Sequence, residues 1–171
     1  MNIKDIDLNK IFLKDSEESF KSIYYNDNKL EIKLPSMCCP FGLEEEYSNL
    51  ICKLQFKNLE TDSEMKDFYN FVLNFENKIN NLLGSKLKSQ LRLSDKYPPL
   101  LTCKIIKMKS NIITNVVDKD NNNINIYDLI KKYNYNYKCT VRLDKIWNYN
   151  QKYYYKWNLI KIEIYDMRLR K

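Results

Sequence analysis

A chain of 171 residues and 20.7 kDa, 44% hydrophobic, has room for one domain and a small additional layer, and enough apolar content to fold. It has no histidine and only two glycines, which excludes Ser-His and Cys-His nucleophile pairs, most mixed zinc sites and glycine-rich phosphate loops. The net charge of +7 is uneven: residues 1–65 hold 8 basic against 13 acidic side chains, and residues 66–171 hold 21 against 9.

No apolar run reaches the ~18 residues of a membrane span. The opening MNIKDIDLNK lacks the apolar core of a signal peptide and the Arg-rich pattern of a transit peptide, so a soluble, intracellular protein is expected. Five cysteines (Cys38, Cys39, Cys52, Cys103, Cys139) without paired spacing are expected as reduced, mostly buried thiols.

In chain order, residues 1–19 are mixed and irregular and are expected to form a frayed arm or a short helix, with a single domain over 20–171. FKSIYY (20–25) and KLEIKL (29–34) flank Asn26-Asp27-Asn28, the pattern of a hairpin that Pro35 would end. PSMCCPFGL (35–43) reads as an apolar loop in which Gly42 takes a conformation closed to other residues, and Glu44–Glu46 as a solvated loop. Leu50, Cys52, Leu54 and Phe56 alternate with polar partners and predict a strand.

The clearest helix follows, over 62–83. Thr61 with Glu64 forms a capping box, Phe68, Phe71, Val72, Phe75, Ile79, Leu82 and Leu83 form one apolar stripe, and Gly84 ends it. Residues 85–96 read as a basic loop, LLTCKIIKM (100–108) and IITNVV (112–117) as strands, and 126–132 as a short helix. Asp118–Asn123 begins like a calcium loop but lacks its glycine and its closing acidic residue, position 129 being Leu129, so a hairpin turn is expected and no metal or other cofactor.

Tyr137–Tyr165 carries both tryptophans, six tyrosines and a ladder of basic residues. It reads as two long strands joined near Asn148–Lys152. Tyr137, Cys139, Val141 and Leu143 share the inward face of the first. In the second, Tyr153, Tyr155, Trp157 and Leu159 share one face while Ile160, Ile162 and Ile164 lie on the other, so a bulge or a strong coil is expected near Leu159. The element order predicts a mainly β, α+β fold: an OB-like barrel of five or more strands with one long packing helix, a plain sheet covered by a helix being the alternative.

The span Tyr127–Tyr165 resembles the C-terminal signature of single-stranded DNA-binding proteins of large (nucleocytoplasmic) DNA viruses: a short helix, a strand ending in Ile146-Trp147, a turn, and a strand with a second tryptophan, Trp157. Pro40-Phe41-Gly42 resembles an upstream element of that family. Tyr155 stands where the family has a glycine, and the acidic C-terminal tail of many members is replaced by Arg168, Leu169, Arg170 and Lys171. The resemblance implies an OB fold, sequence-tolerant binding of single-stranded DNA and a role in viral replication or repair.

Basic charge interleaved with rings suits single strands, because Lys and Arg track phosphates while flat rings accept unstacked bases. Lys104, Lys107, Lys109, Arg142, Lys145, Lys152 and Lys156 are the expected phosphate contacts. Tyr149, Tyr153, Tyr155 and one of Trp147 or Trp157 are the expected stacking residues, with Tyr24 and Tyr25 expected to matter less. The expected partner is single-stranded DNA, RNA being possible, with no catalysis, no small-molecule substrate and no membrane. The alternative is a structural or interaction protein of a virus particle that self-assembles through its acidic and basic faces.

Overall fold

Apolar–polar alternation builds most of this chain into strands, and the computed structural model describes residues 1–16 and 19–166. The basic terminus Arg168–Lys171 lies outside the described residues. Two 3-10 turns, Ile3–Asp5 and Leu8–Lys10, precede β1 (Ile11–Asp15) and β2 (Phe20–Tyr25). Then come β3 (Leu30–Cys39), β4 (Leu43–Glu46), β5 (Asn49–Gln55) and the helix α1 (Ser63–Leu83). Short strands β6 (Leu91–Arg92), β7 (Leu100–Ile105), β8 (Lys107–Met108), β9 (Asn111–Ile112) and β10 (Asn115–Val117) follow, with a 3-10 turn at Ile126–Leu129. The C-terminal part is β11 (Tyr135–Leu143), β12 (Lys145–Tyr149), β13 (Lys152–Tyr155) and β14 (Trp157–Asp166).

Five of these strands close a barrel. β11 pairs with β3, β3 with β5 and β5 with β7, all antiparallel; β7 pairs with β14 in parallel, and β14 returns antiparallel to β11. In barrel numbering the order is 1-2-3-5-4-1, an OB topology. The inward residues are those the alternation selects: Leu50, Cys52, Leu54, Leu101, Cys103, Tyr137, Cys139, Val141 and Leu143 are all buried, and all five cysteines are free and buried. The bulge expected near Leu159 is present. Thr140 faces Lys161 but Val141 faces Leu159, so Ile160 is the extra residue and both Leu159 and Ile162 point inward.

α1 packs its stripe of Phe68, Phe71, Val72, Phe75 and Ile79 on the barrel, with Phe68 and Phe75 edge-on to Trp157 at 5.9 Å. Its N-cap is Asp62, which accepts from the Met65 backbone N–H at 3.0 Å, one residue past the expected Thr61. Leu82, expected in the stripe, is 44% exposed.

Several local expectations change. β3 runs through Pro35 to Cys39, because Leu34 and Pro35 form a bulge opposite Cys139 where no ladder N–H is needed. Asn26 and Asp27 make a tight turn with positive φ, and Tyr25 and Asn28 exchange backbone hydrogen bonds, yet β2 and β3 separate at once instead of forming a hairpin. Residues 11–15, placed in an arm or helix by their irregular pattern, are strand β1 because β2 offers them a partner. Glu44–Glu46 is strand β4, and Glu44 and Glu46 hold Lys53 at 3.0 and 2.9 Å. Burial works against the Lys53 charge, but the two carboxylates outweigh it and hold its pKa above the ordinary lysine value.

Gly42 has φ of +68°, and a Cβ there would lie 2.6 Å from the Lys132 carbonyl oxygen. Gly42→Ala is therefore expected to destabilise the fold by at least about 1 kcal/mol, read as a lower urea midpoint at unchanged slope.

Candidate nucleic-acid interface

β1, β2, β12 and β13 form a second sheet in the order β1-β2-β12-β13. One face, with Ile11, Ile23, Tyr25, Ile146 and Tyr155, is buried. Directly paired residues share a face, so the register also fixes the outer one. It runs Phe12–Tyr24, Lys14–Ser22–Lys145, Phe20–Trp147–Tyr154 and Tyr149–Lys152. Six of these ten positions are aromatic, three are lysine and the tenth is Ser22; none is acidic.

The rings and cations are interleaved. Phe12 stacks on Tyr24 at 5.7 Å with Lys14 over both, Lys145 lies over Phe20, and Trp147 stacks on Tyr154 at 6.0 Å and 17° with Lys156 over its ring at 5.1 Å. Asp27, from the turn after β2, reaches Lys14 at 3.6 Å and is the only carboxylate paired with a lysine of this face among the described residues. Asn150 and Gln151, both with positive φ, make the two-residue turn that brings Tyr149 and Lys152 to its edge.

The platform continues onto the barrel. Lys156, between β13 and β14, lies beside Lys104, an outward residue of β7, and both line a cleft of about 200 Å3 with Gln90, Thr102 and Tyr47. Tyr47 is 98% exposed. Burial and the neighbouring Lys104 ammonium lower the Lys156 pKa. Neither lysine has a carboxylate partner among the described residues. Glu46 lines the same cleft but is held by Lys53 at 2.9 Å, so the two neighbouring ammonium groups form a site that a further anion would relieve.

Of the residues the sequence singles out, Lys145, Trp147, Tyr149 and Lys152 lie on this face, and Lys104 and Lys156 lie at its junction with the barrel. Tyr155 and Trp157 do not. Both are fully buried: Trp157 Nε1 donates to Tyr155 Oη at 3.1 Å, and Tyr155 Oη donates to Glu76 of α1. A base has no access to either ring. Burial, with the Glu76 carboxylate beside it, holds the Tyr155 hydroxyl well above its ordinary pKa.

Tyr153 is half-buried on the opposite face, its carbonyl accepting from the Lys88 N–H at 2.7 Å. Arg142 is committed elsewhere, with Nη2 at 2.6 Å and Nε at 3.0 Å from Glu31 Oε1, and Asp144 at 3.9 Å. Lys107 and Lys109 sit on the separate ribbon of β8 and β9.

Tyr154, Phe12, Lys14, Phe20 and Tyr24 share this face and are not among the residues the sequence singles out. One local signal was available: Tyr154 shares its phase with Lys152 and Lys156, the charged side of the strand, whereas Tyr153 and Tyr155 share the phase of Trp157. For the N-terminal residues no local signal exists, because only the pairing of β2 with β12 brings them beside Trp147.

No protein-family model and no curated protein matches this chain. Solved structures do match. A C-terminally truncated single-stranded DNA-binding protein from bacteriophage Enc34 aligns with TM-score 0.54 and 10% identity over 95% of this chain and 98% of that one. The phage T7 single-stranded DNA-binding protein gp2.5 aligns with TM-score 0.56 and 10% identity over 84% and 90%. The Enc34 protein in complex with single-stranded DNA aligns with TM-score 0.52 and 9% identity over 91% and 94%. None of these comes from a large nucleocytoplasmic DNA virus. With its barrel closed in OB order and 84% to 95% of its length matched by these structures, the chain has the fold of phage single-stranded DNA-binding proteins.

Proposed function

We propose that this protein binds single-stranded DNA without sequence preference and without chemistry, in viral DNA replication or repair. The observation that carries the reading is the outer face of the second sheet, rings interleaved with lysines and free of carboxylates. Trp147, Tyr154, Tyr149, Phe12, Phe20 and Tyr24 accept bases, and Lys14, Lys145, Lys152, Lys156 and Lys104 take phosphates. Lys107 and Lys109 are outlying phosphate contacts. The single-stranded DNA binding of the fold neighbours supports this reading. The finer kinship, with large nucleocytoplasmic DNA viruses, rests on Ile146-Trp147 and Trp157.

The test is fluorescence anisotropy of a labelled oligonucleotide across salt. The log–log slope is expected at about −0.7 for each phosphate neutralised, with duplex of the same sequence binding more weakly. Absence of binding at low salt would refute the reading.

A pH dependence follows from Lys156. Burial and the neighbouring Lys104 ammonium put the Lys156 pKa below the ordinary lysine value, so as pH rises it loses its charge earlier than that value would set. Affinity is therefore expected to start falling at a lower pH than the ordinary lysine value would set, and Lys156→Arg, which stays charged, is expected to delay the fall.

A further inference from the structure

A hollow of about 740 Å3 lies at the other end of β11 from the platform. Tyr135 at its rim and Leu143 beside the second sheet are separated by ~25 Å of extended strand. A volume of that order is in the range of small-molecule sites.

Three lysines line it, Lys57 after β5 and Lys131 and Lys132 before β11. Among the described residues no carboxylate pairs with any of them. The one acidic side chain in the lining, Asp62, is occupied in capping α1. The turn that carries two of the lysines is held by its backbone: Lys131 N–H donates to the Leu43 carbonyl, and Asn134 N–H to those of Cys39 and Pro40. Gly42 lies directly against Lys132. Tyr133, 57% exposed, supplies a ring at the rim. The Asn58 and Asn134 amides make no side-chain hydrogen bond among the described residues, which leaves donors and acceptors for the edge of a base.

We infer that this hollow is a second nucleotide-binding site, with Lys57, Lys131 and Lys132 around a phosphate and Tyr133 against a base. Lysines alone would suit any anion, but a ring and free amides in the same recess select a nucleotide. Its ligand is either a segment of single strand or a free mononucleotide, and the site stands independently of the platform.

Amide chemical shifts at low salt test it, with thymidine monophosphate and a thymidine oligomer of about six nucleotides as probes. The oligomer is expected to shift residues 57–62 and 131–136 in the native protein and equally in Trp147→Ala/Tyr154→Ala. Lys131→Glu/Lys132→Glu is expected to weaken that response at least about tenfold while platform shifts persist. Saturation by the mononucleotide at a similar concentration assigns the site to free nucleotide, and response to the oligomer alone assigns it to strand. No shift in these residues with either probe overturns the proposal. Shifts in the hollow with a silent platform would refute the proposed function and leave this site standing.

Discussion

Trp147→Ala combined with Tyr154→Ala is expected to weaken single-stranded DNA binding by about 2 to 5 kcal/mol, a Kd higher by at least about 30-fold. The two rings are stacked at the centre of the outer face, paired across β12 and β13, with Lys156 over the indole. On the proposed function each would accept a base at about 1 to 3 kcal/mol, and their contact makes the two losses less than additive. Both are half-buried surface residues, so the melting temperature should change little. Tyr155→Phe is the control, because its ring is enclosed and its affinity should match the native protein. Anisotropy titration beside thermal melting decides. Native affinity in the double variant would move the interface off this sheet.

Trp157→Ala is expected to have the largest effect on stability, about 3 to 5 kcal/mol, which approaches the whole stability of a small domain. The indole is fully buried with Phe68, Phe75 and Tyr155 around it, so its removal leaves a cavity where helix and barrel meet. It also removes the donor to Tyr155 Oη. Urea denaturation followed by circular dichroism checks this, and a loss under about 1 kcal/mol would contradict the packing. The two tryptophans separate the readouts. Trp157 is buried and reports folding, and Trp147 is the one that the proposed function puts against a base, so Trp147→Phe is expected to abolish quenching by oligonucleotide while the unfolding signal remains.

The sequence by itself determined the elements whose pattern is local. Alternation placed β5 and β11 and chose their inward faces, an apolar run placed β7, the 3.6-residue stripe and Gly84 placed α1, and the change of apolar phase in the last strand put a bulge near Leu159, where Ile160 is the extra residue. It also placed Lys145, Trp147, Tyr149 and Lys152 together, because one hairpin carries them.

Only the tertiary structure decided which strands pair. The turn at Asn26-Asp27 reads as a hairpin, yet β3 closes the barrel and β2 joins β12, a choice between distant partners that local pattern does not encode. That choice turned an irregular N-terminal segment into half of the platform and put Tyr24 on the same face as Trp147. It also decided between the two sides of Tyr153-Tyr154-Tyr155. Alternation says that neighbouring rings face opposite ways, but which side is core depends on what packs beneath, and here α1 and the barrel take Tyr155 and leave Tyr154 to solvent.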